Sequence, residues 1–143
     1  MRSKLINEAP ERTFAVVMET GDEVVSALET FANDSKLDAS RITAIGAFSR
    51  VTLGYFDWEK KAYERIELDE QVEVLALLGD VALQDGRPKL HLHVVVGRRD
   101  GRAMGGHLLS AIVRPTLEVL LVDSPRHLRR EIDAATGLAL IRI

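Results

Sequence analysis

Apolar positions in this chain change period along its length, and the changes mark its elements. Thr13 to Glu19 (TFAVVME) is short, apolar and β-branched, and predicts a strand. After the turn Thr20-Gly21-Asp22-Glu23, residues Val24, Leu28 and Phe31 recur at helical spacing, with Val25 and Ala32 beside them. This predicts one amphipathic helix from about Asp22 to Asn33, with Asp22 as cap and Thr20 and Glu23 at capping-box spacing. From Arg41 the pattern turns extended. Ile42 to Phe48 and Val51 to Phe56 predict two strands around Ser49-Arg50, and Gly46 and Gly54 within them suggest bulges or close backbone approach. Glu59-Lys60-Lys61 is a polar turn, and Tyr63 to Leu68 a short strand. Val72 to Leu83 is a long apolar strand interrupted at Gly79-Asp80. Gln84 to Pro88 turns the chain, and Lys89 to Gly97 returns as a strand. Asp100-Gly101 signals a tight turn, and Gly105-Gly106 a break. Pro115 can open a strand over Leu117 to Val122. Ser124-Pro125 is a turn, His127 to Ala135 predicts a short polar helix ended by Gly137, and Leu138 to Ile143 is a last strand. With about seven strands, one main helix and short connections, the expected fold is a single α+β domain over residues 1–143, with a mostly antiparallel mixed sheet.

Composition narrows the chemistry. The 143 residues contain no cysteine, so disulfides and thiolate metal sites are excluded and any metal is held by nitrogen or oxygen. Met1 to Arg12 is polar and mixed in charge, and no apolar run approaches membrane-spanning length, so the expected location is the cytoplasm. The net charge of -3 argues against a nucleic-acid binder, whose affinity comes chiefly from neutralising phosphate. Local basic groups do occur: Arg87, Lys89, Arg98, Arg99 and Arg102, then Arg126, Arg129 and Arg130. They read as solvated faces and turn tips. Gly86-Arg87-Pro88 matches the core of an AT-hook, but Asp85 precedes it and two apolar strands flank it, so it reads as a turn.

Three of the four histidines lie between His91 and His107. In Leu90-His91-Leu92-His93-Val94 the alternation of a strand points His91 and His93 to one face. Gly105-Gly106 lets the chain double back so that His107 faces the same strand pair. Three imidazoles suit zinc, leaving one position for water or substrate; nickel, iron and copper accept imidazole too. A hairpin centred near Gly86 sets Val81 opposite His91 and Gly79 opposite His93, with room beside Gly79 and with Glu73 on the same face. A slip of one residue brings Asp80 to the histidines instead. Glu73 and Asp80 are therefore both carboxylate candidates for a fourth ligand, an outer partner or a general base. His127 stands apart beside Arg126 and reads as a surface residue.

Taken in order, Gly79-Asp80-Val81-Ala82-Leu83, Asp85-Gly86-Arg87-Pro88, Leu90-His91-Leu92-His93-Val94 and Gly105-Gly106-His107-Leu108 resemble the plants-and-prokaryotes conserved (PPC) domain family, prokaryotic branch. Ile42 to Ala47, Gly54-Tyr55-Phe56-Asp57 with Tyr63, and Thr136-Gly137-Leu138 fit the same pattern. The resemblance implies an α+β fold that assembles as a homotrimer, and a metal, usually zinc, at His91, His93 and His107. It also brings a DNA-binding reading from plant members, which carry separate AT-hooks and generally lack these histidines. Three functions stand at this point. One is a trimeric metal-binding protein with hydrolytic or lyase-like chemistry on a small molecule. Another is a DNA-binding regulator. The third is an assembly module that presents a surface to other proteins.

Overall fold

The computed structural model describes residues 1–7, 9–124 and 128–143. Its described elements are nine strands and one helix. They run β1 (Arg2–Asn7), β2 (Arg12–Glu19), α1 (Val24–Asp34), β3 (Ala39–Asp57), β4 (Ala62–Leu68), β5 (Val72–Gln84), β6 (Arg87–Gly97), β7 (Ala103–Asp123), β8 (Arg129–Ile132) and β9 (Ala139–Arg142). All belong to one mixed sheet in the order β1-β2-β7-β3-β5-β8-β9, with β4 on β3 and β6 on both β5 and β7. Every described pairing is antiparallel except β5 with β8. Because β6 joins β5 on one edge and β7 on the other, the strands β3, β5, β6 and β7 close a ring of pairings.

Helix α1 covers the sheet through Val24, Leu28, Phe31 and Ala32, which pack with Val16, Met18, Phe48, Leu53, Leu92 and Leu117 in one core. Full burial of a side chain of this size stabilises by roughly 1.5–3 kcal/mol. The cap is Glu23, one residue later than the sequence predicts. Its carboxylate accepts from Ser26 N at 2.8 Å and from Ala111 N at 3.2 Å, so one side chain starts the helix and ties it to β7. Asp22 instead accepts from Glu19 N and pairs with the chain's amino terminus.

Several expected breaks are absent. The two strands expected around Ser49-Arg50 are one strand, β3, kinked by register shifts near Gly46, Phe48 and Arg50. Gly46 has φ of 151°, and a Cβ there would lie 2.8 Å from Leu117 Cα, so the kink depends on glycine. Likewise β5 runs through Gly79-Asp80, and β7 runs through Gly105-Gly106 and Pro115. Pro115 is tolerated because it falls in the gap between the paired positions Val113 and Leu117, where no ladder donor is missed. The short helix expected from His127 is not formed. Arg129–Ile132 is a strand that pairs with Ala139–Arg142, a hairpin that polar composition alone disguises. Pro125, Arg126 and His127, with the surface role expected of His127, lie outside the described residues.

Candidate metal centre

The β5–β6 hairpin fixes the register of the site. Asp85 and Gly86 have φ of 51° and 74°, and Gln84 pairs with Arg87, so two residues with positive φ make the turn. Of the AT-hook-like Gly86-Arg87-Pro88, Gly86 lies in the turn, as the sequence predicts, and Arg87 and Pro88 open β6. This register places Asp80 opposite His91 and Leu78 opposite His93. The pairing of Val81 with His91 and Gly79 with His93 is corrected by one residue, because the loop holds two residues rather than a single central one. Gly79 faces Leu92, and its missing side chain is filled by the His91 carbonyl and by Leu92 Cδ2, where a Cβ would lie 2.6 Å away. It therefore leaves no room for a ligand. Glu73 pairs with Gly97, at the far end of β6 beyond the irregularity at Val74–Ala76, and takes no part in the histidine group.

His107 reaches the cluster by a different route from the one its glycines suggest. The turn at Asp100-Gly101 returns the chain, with Gly101 at φ of 82°, and β7 then pairs His107 directly with His93. Gly105 and Gly106 serve close packing. A Cβ on Gly105 would lie 3.0 Å from Val94 O, and one on Gly106 2.8 Å from Gly54 O. Paired residues project to one face of a sheet, so His91, His93 and His107 converge. Their ring centroids are 5.0, 5.4 and 5.4 Å apart, and the offered ring nitrogens all lie within 4.8 Å of one another. His91 Nε2 and His93 Nε2 are 3.1 Å apart. Ligands on a tetrahedral zinc stand about 3.4 Å apart, given bonds of roughly 2.0–2.1 Å. Small side-chain rotations would close the set.

The electrostatics favour neutral rings at His91 and His107. Burial, then His91 and His93, bring the His107 pKa down to about 4. Burial, Arg130 and His93 lower that of His91, against an opposing pull from Asp80. Neutral imidazoles keep a lone pair for a cation, and buried His107 Nδ1 has no hydrogen-bond partner among the described residues. The ring of Tyr63 stacks on His107 at 4.7 Å, and Gly54 makes room for it: a Cβ at Gly54 would lie 2.8 Å from Tyr63 Cδ1.

This arrangement carries a pH dependence. Unfolded His107 takes up a proton near 6.5, whereas folded His107 does so at about 4. Between those values the unfolded state binds the extra proton. The metal-free protein should therefore keep its stability above pH 6.5 and lose up to about 3 kcal/mol as pH falls to 4, at roughly 1.4 kcal/mol per unit. Thermal melts of wild type and His107→Phe across this range check it; the variant should lack this part of the slope.

Beside the cluster lies a cleft of about 320 Å³ lined by His91, His107, Tyr63, Lys89, Arg130 and Leu140, among others. Arg130, only 7% exposed, donates to Asp80 and to Ala139 O. The sequence marks Arg130 as part of a solvated basic cluster. It is buried because β8 turns it inward against Asp80, and no local signal in Leu128 to Asp133 indicates this. Tyr63 is visible in the sequence as a strand aromatic and as part of the family pattern, but not as a partner of His107.

The sequence matches the Plants and Prokaryotes Conserved (PCC) domain over residues 6–125. The chain belongs to this family. The resemblance carried by its glycine and histidine motifs is thereby borne out. This PCC chain superposes on a candidate DNA-binding protein of Bacteroides thetaiotaomicron with a TM-score of 0.88 at 29% identity, covering 98% of this chain and 96% of that one. It superposes on a metal-containing protein of Archaeoglobus fulgidus with a TM-score of 0.85 at 35% identity, covering 99% and 97%. It is 33% identical over 135 residues to Bifunctional protein GlmU of Synechococcus sp. (strain JA-3-3Ab), matching 92% of this chain but spanning only 20% of that protein's length. Among the described residues no helix is long and apolar enough to cross a membrane.

Proposed function

We propose that this PCC chain binds one divalent transition metal ion, zinc in the first instance, through His91, His93 and His107, and uses it on a small molecule. The observation that carries this reading is the convergence of three ring nitrogens within 4.8 Å, with no cysteine or carboxylate in the group. The metal-containing relative from Archaeoglobus fulgidus supports it. A bound ion of this kind supplies a Lewis acid that makes water nucleophilic near neutral pH. The chain's own residues do the rest. Tyr63 fixes the His107 ring by stacking. Asp80, engaged by Arg130, acts as a positioning group beside His91 rather than a free base. Elemental analysis of protein purified without a histidine tag tests the reading. About one equivalent of metal per chain is expected; trace metal, unchanged in His91→Ala, would contradict it.

We also propose a homotrimer. Ile45, Leu78 and Leu120 are 60%, 58% and 54% exposed and lie close together on the outer face of β3, β5 and β7, with Leu75 and Val95 nearby. An exposed aliphatic patch of this kind is typical of a subunit contact. Leu78 pairs with His93, so an assembly through this face would border the histidines. Light scattering should give three times the 15.9 kDa chain mass, and Leu78→Glu should give monomers. A wild-type monomer at micromolar concentration would overturn it.

The DNA-binding alternative draws support from the descriptions of the Bacteroides protein and of a similar Ralstonia eutropha protein as candidate DNA-binding proteins. Several cations that would serve it are already paired: Arg98 with Glu70, Arg102 with Asp100 and Lys89 with Glu29. Together with the net charge of -3, this favours the metal reading.

A further inference from the structure

We propose that the cleft beside the histidines is a recognition site for a small aliphatic carboxylate, held by the buried Arg130 guanidinium with its aliphatic end on Leu109, Leu138 and Leu140. This deepens the metal reading, and rests on it for placing the reacting end of the ligand at His91 and His107.

Four observations converge. Arg130 and two of the three histidines line the same cleft of about 320 Å³, a size suited to a small ligand. The guanidinium offers five N–H donors. Two partners hold it, Asp80 and Ala139 O, while its Nε is buried without an acceptor among the described residues. An unpartnered buried donor is uncommon, and it marks a place where a water, an ion or a ligand group can be accommodated. Asp80 does not line the cleft although Arg130 does, so the carboxylate that offsets Arg130 stands away from the cleft. Lys89 and Glu29 line the cleft as an ion pair at 3.5 Å and largely cancel.

The remaining walls choose among anions. They are chiefly aliphatic, from Leu90, Leu108, Leu109, Leu138 and Leu140. A planar carboxylate matches the edge of one guanidinium, and its carbon chain matches the leucines. A phosphate dianion would want more donors than one guanidinium already engaged by two partners can offer.

The test is calorimetric titration of the full, zinc-loaded chain with 4-methylpentanoate, its neutral isostere 4-methylpentanamide, and inorganic phosphate. Zinc content is measured on every sample. The carboxylate should bind at least about tenfold more tightly than the amide or phosphate, the scale of one charged hydrogen bond. Arg130→Gln should remove that preference. Because Arg130 also braces β8, Leu140→Glu supplies a second variant: Leu140 is exposed at the cleft wall, and a carboxylate there should weaken both ligands by removing an apolar contact, and the anion further by repulsion. Equal affinity for carboxylate and amide, equal affinity for phosphate, or indifference to Leu140→Glu would overturn the inference. If zinc is held at one per chain and no carboxylate binds, this inference fails and the metal reading stands. If zinc is not retained but the carboxylate preference persists, the anion site stands and the metal reading fails.

Discussion

Gly79→Ala is expected to destabilise the protein by about 3 kcal/mol or more, and to lower its melting temperature by roughly 10 °C. The added methyl would overlap the His91 carbonyl oxygen and stand 2.6 Å from Leu92 Cδ2. Side chains yield to overpacking by changing rotamer, but a carbonyl in the middle of a ladder cannot move alone. Gly79 sits in β5 between β3 and β6, paired with Ile42 on one side and Leu92 on the other. Relief would push β6 away from β5 at the residue that presents the first histidine. Metal affinity should therefore fall together with stability, although Gly79 offers no ligand atom. Thermal melts and a zinc titration of the variant check both halves. A Gly79→Ala protein that melts within a degree or two of wild type would show that β6 does not pack as described.

His107→Ala should act oppositely on the two properties. Removing one of three imidazoles should weaken zinc binding by more than about 100-fold, beyond the 10–100-fold that follows loss of an outer partner. Stability should change little at neutral pH and should rise relative to wild type near pH 5. There the native protein keeps His107 neutral at a cost, since its pKa is brought down to about 4, and the variant escapes that cost. Competition with a metal indicator gives the affinity, and melts at pH 7 and pH 5 give the rest. Unchanged zinc affinity would remove His107 from the ligand set.

Much of this site is legible in the sequence because strands obey a period of two. His91 and His93 share a face on that rule alone; the sequence leaves Glu73 and Asp80 both open, and only the observed register of the two-residue Asp85-Gly86 turn puts Asp80 opposite His91. Where the pattern misleads, glycine is often the cause. Gly79, Gly105 and Gly106 resemble chain breaks, yet all three lie inside continuous strands at points where another backbone or side chain comes too close for a Cβ. A single sequence does not distinguish a glycine required for its φ from one required for its size. Arg130 is hidden for another reason. Its burial depends on Asp80, fifty residues away in sequence, and its polar neighbours in Arg129–Ile132 carry no periodicity that marks β8. Surplus apolar surface is legible in the long apolar strands and in Leu117 to Val122, but not that Ile45, Leu78 and Leu120 form the exposed face, since each fits an ordinary core strand.

The central claim is that His91, His93 and His107 hold one ion. Crystals of untagged protein, measured on both sides of the zinc absorption edge, test it most directly. A single anomalous peak per chain is expected, about 2.0–2.1 Å from one ring nitrogen of each of the three histidines. No peak there, or a peak bound by other residues, would contradict it.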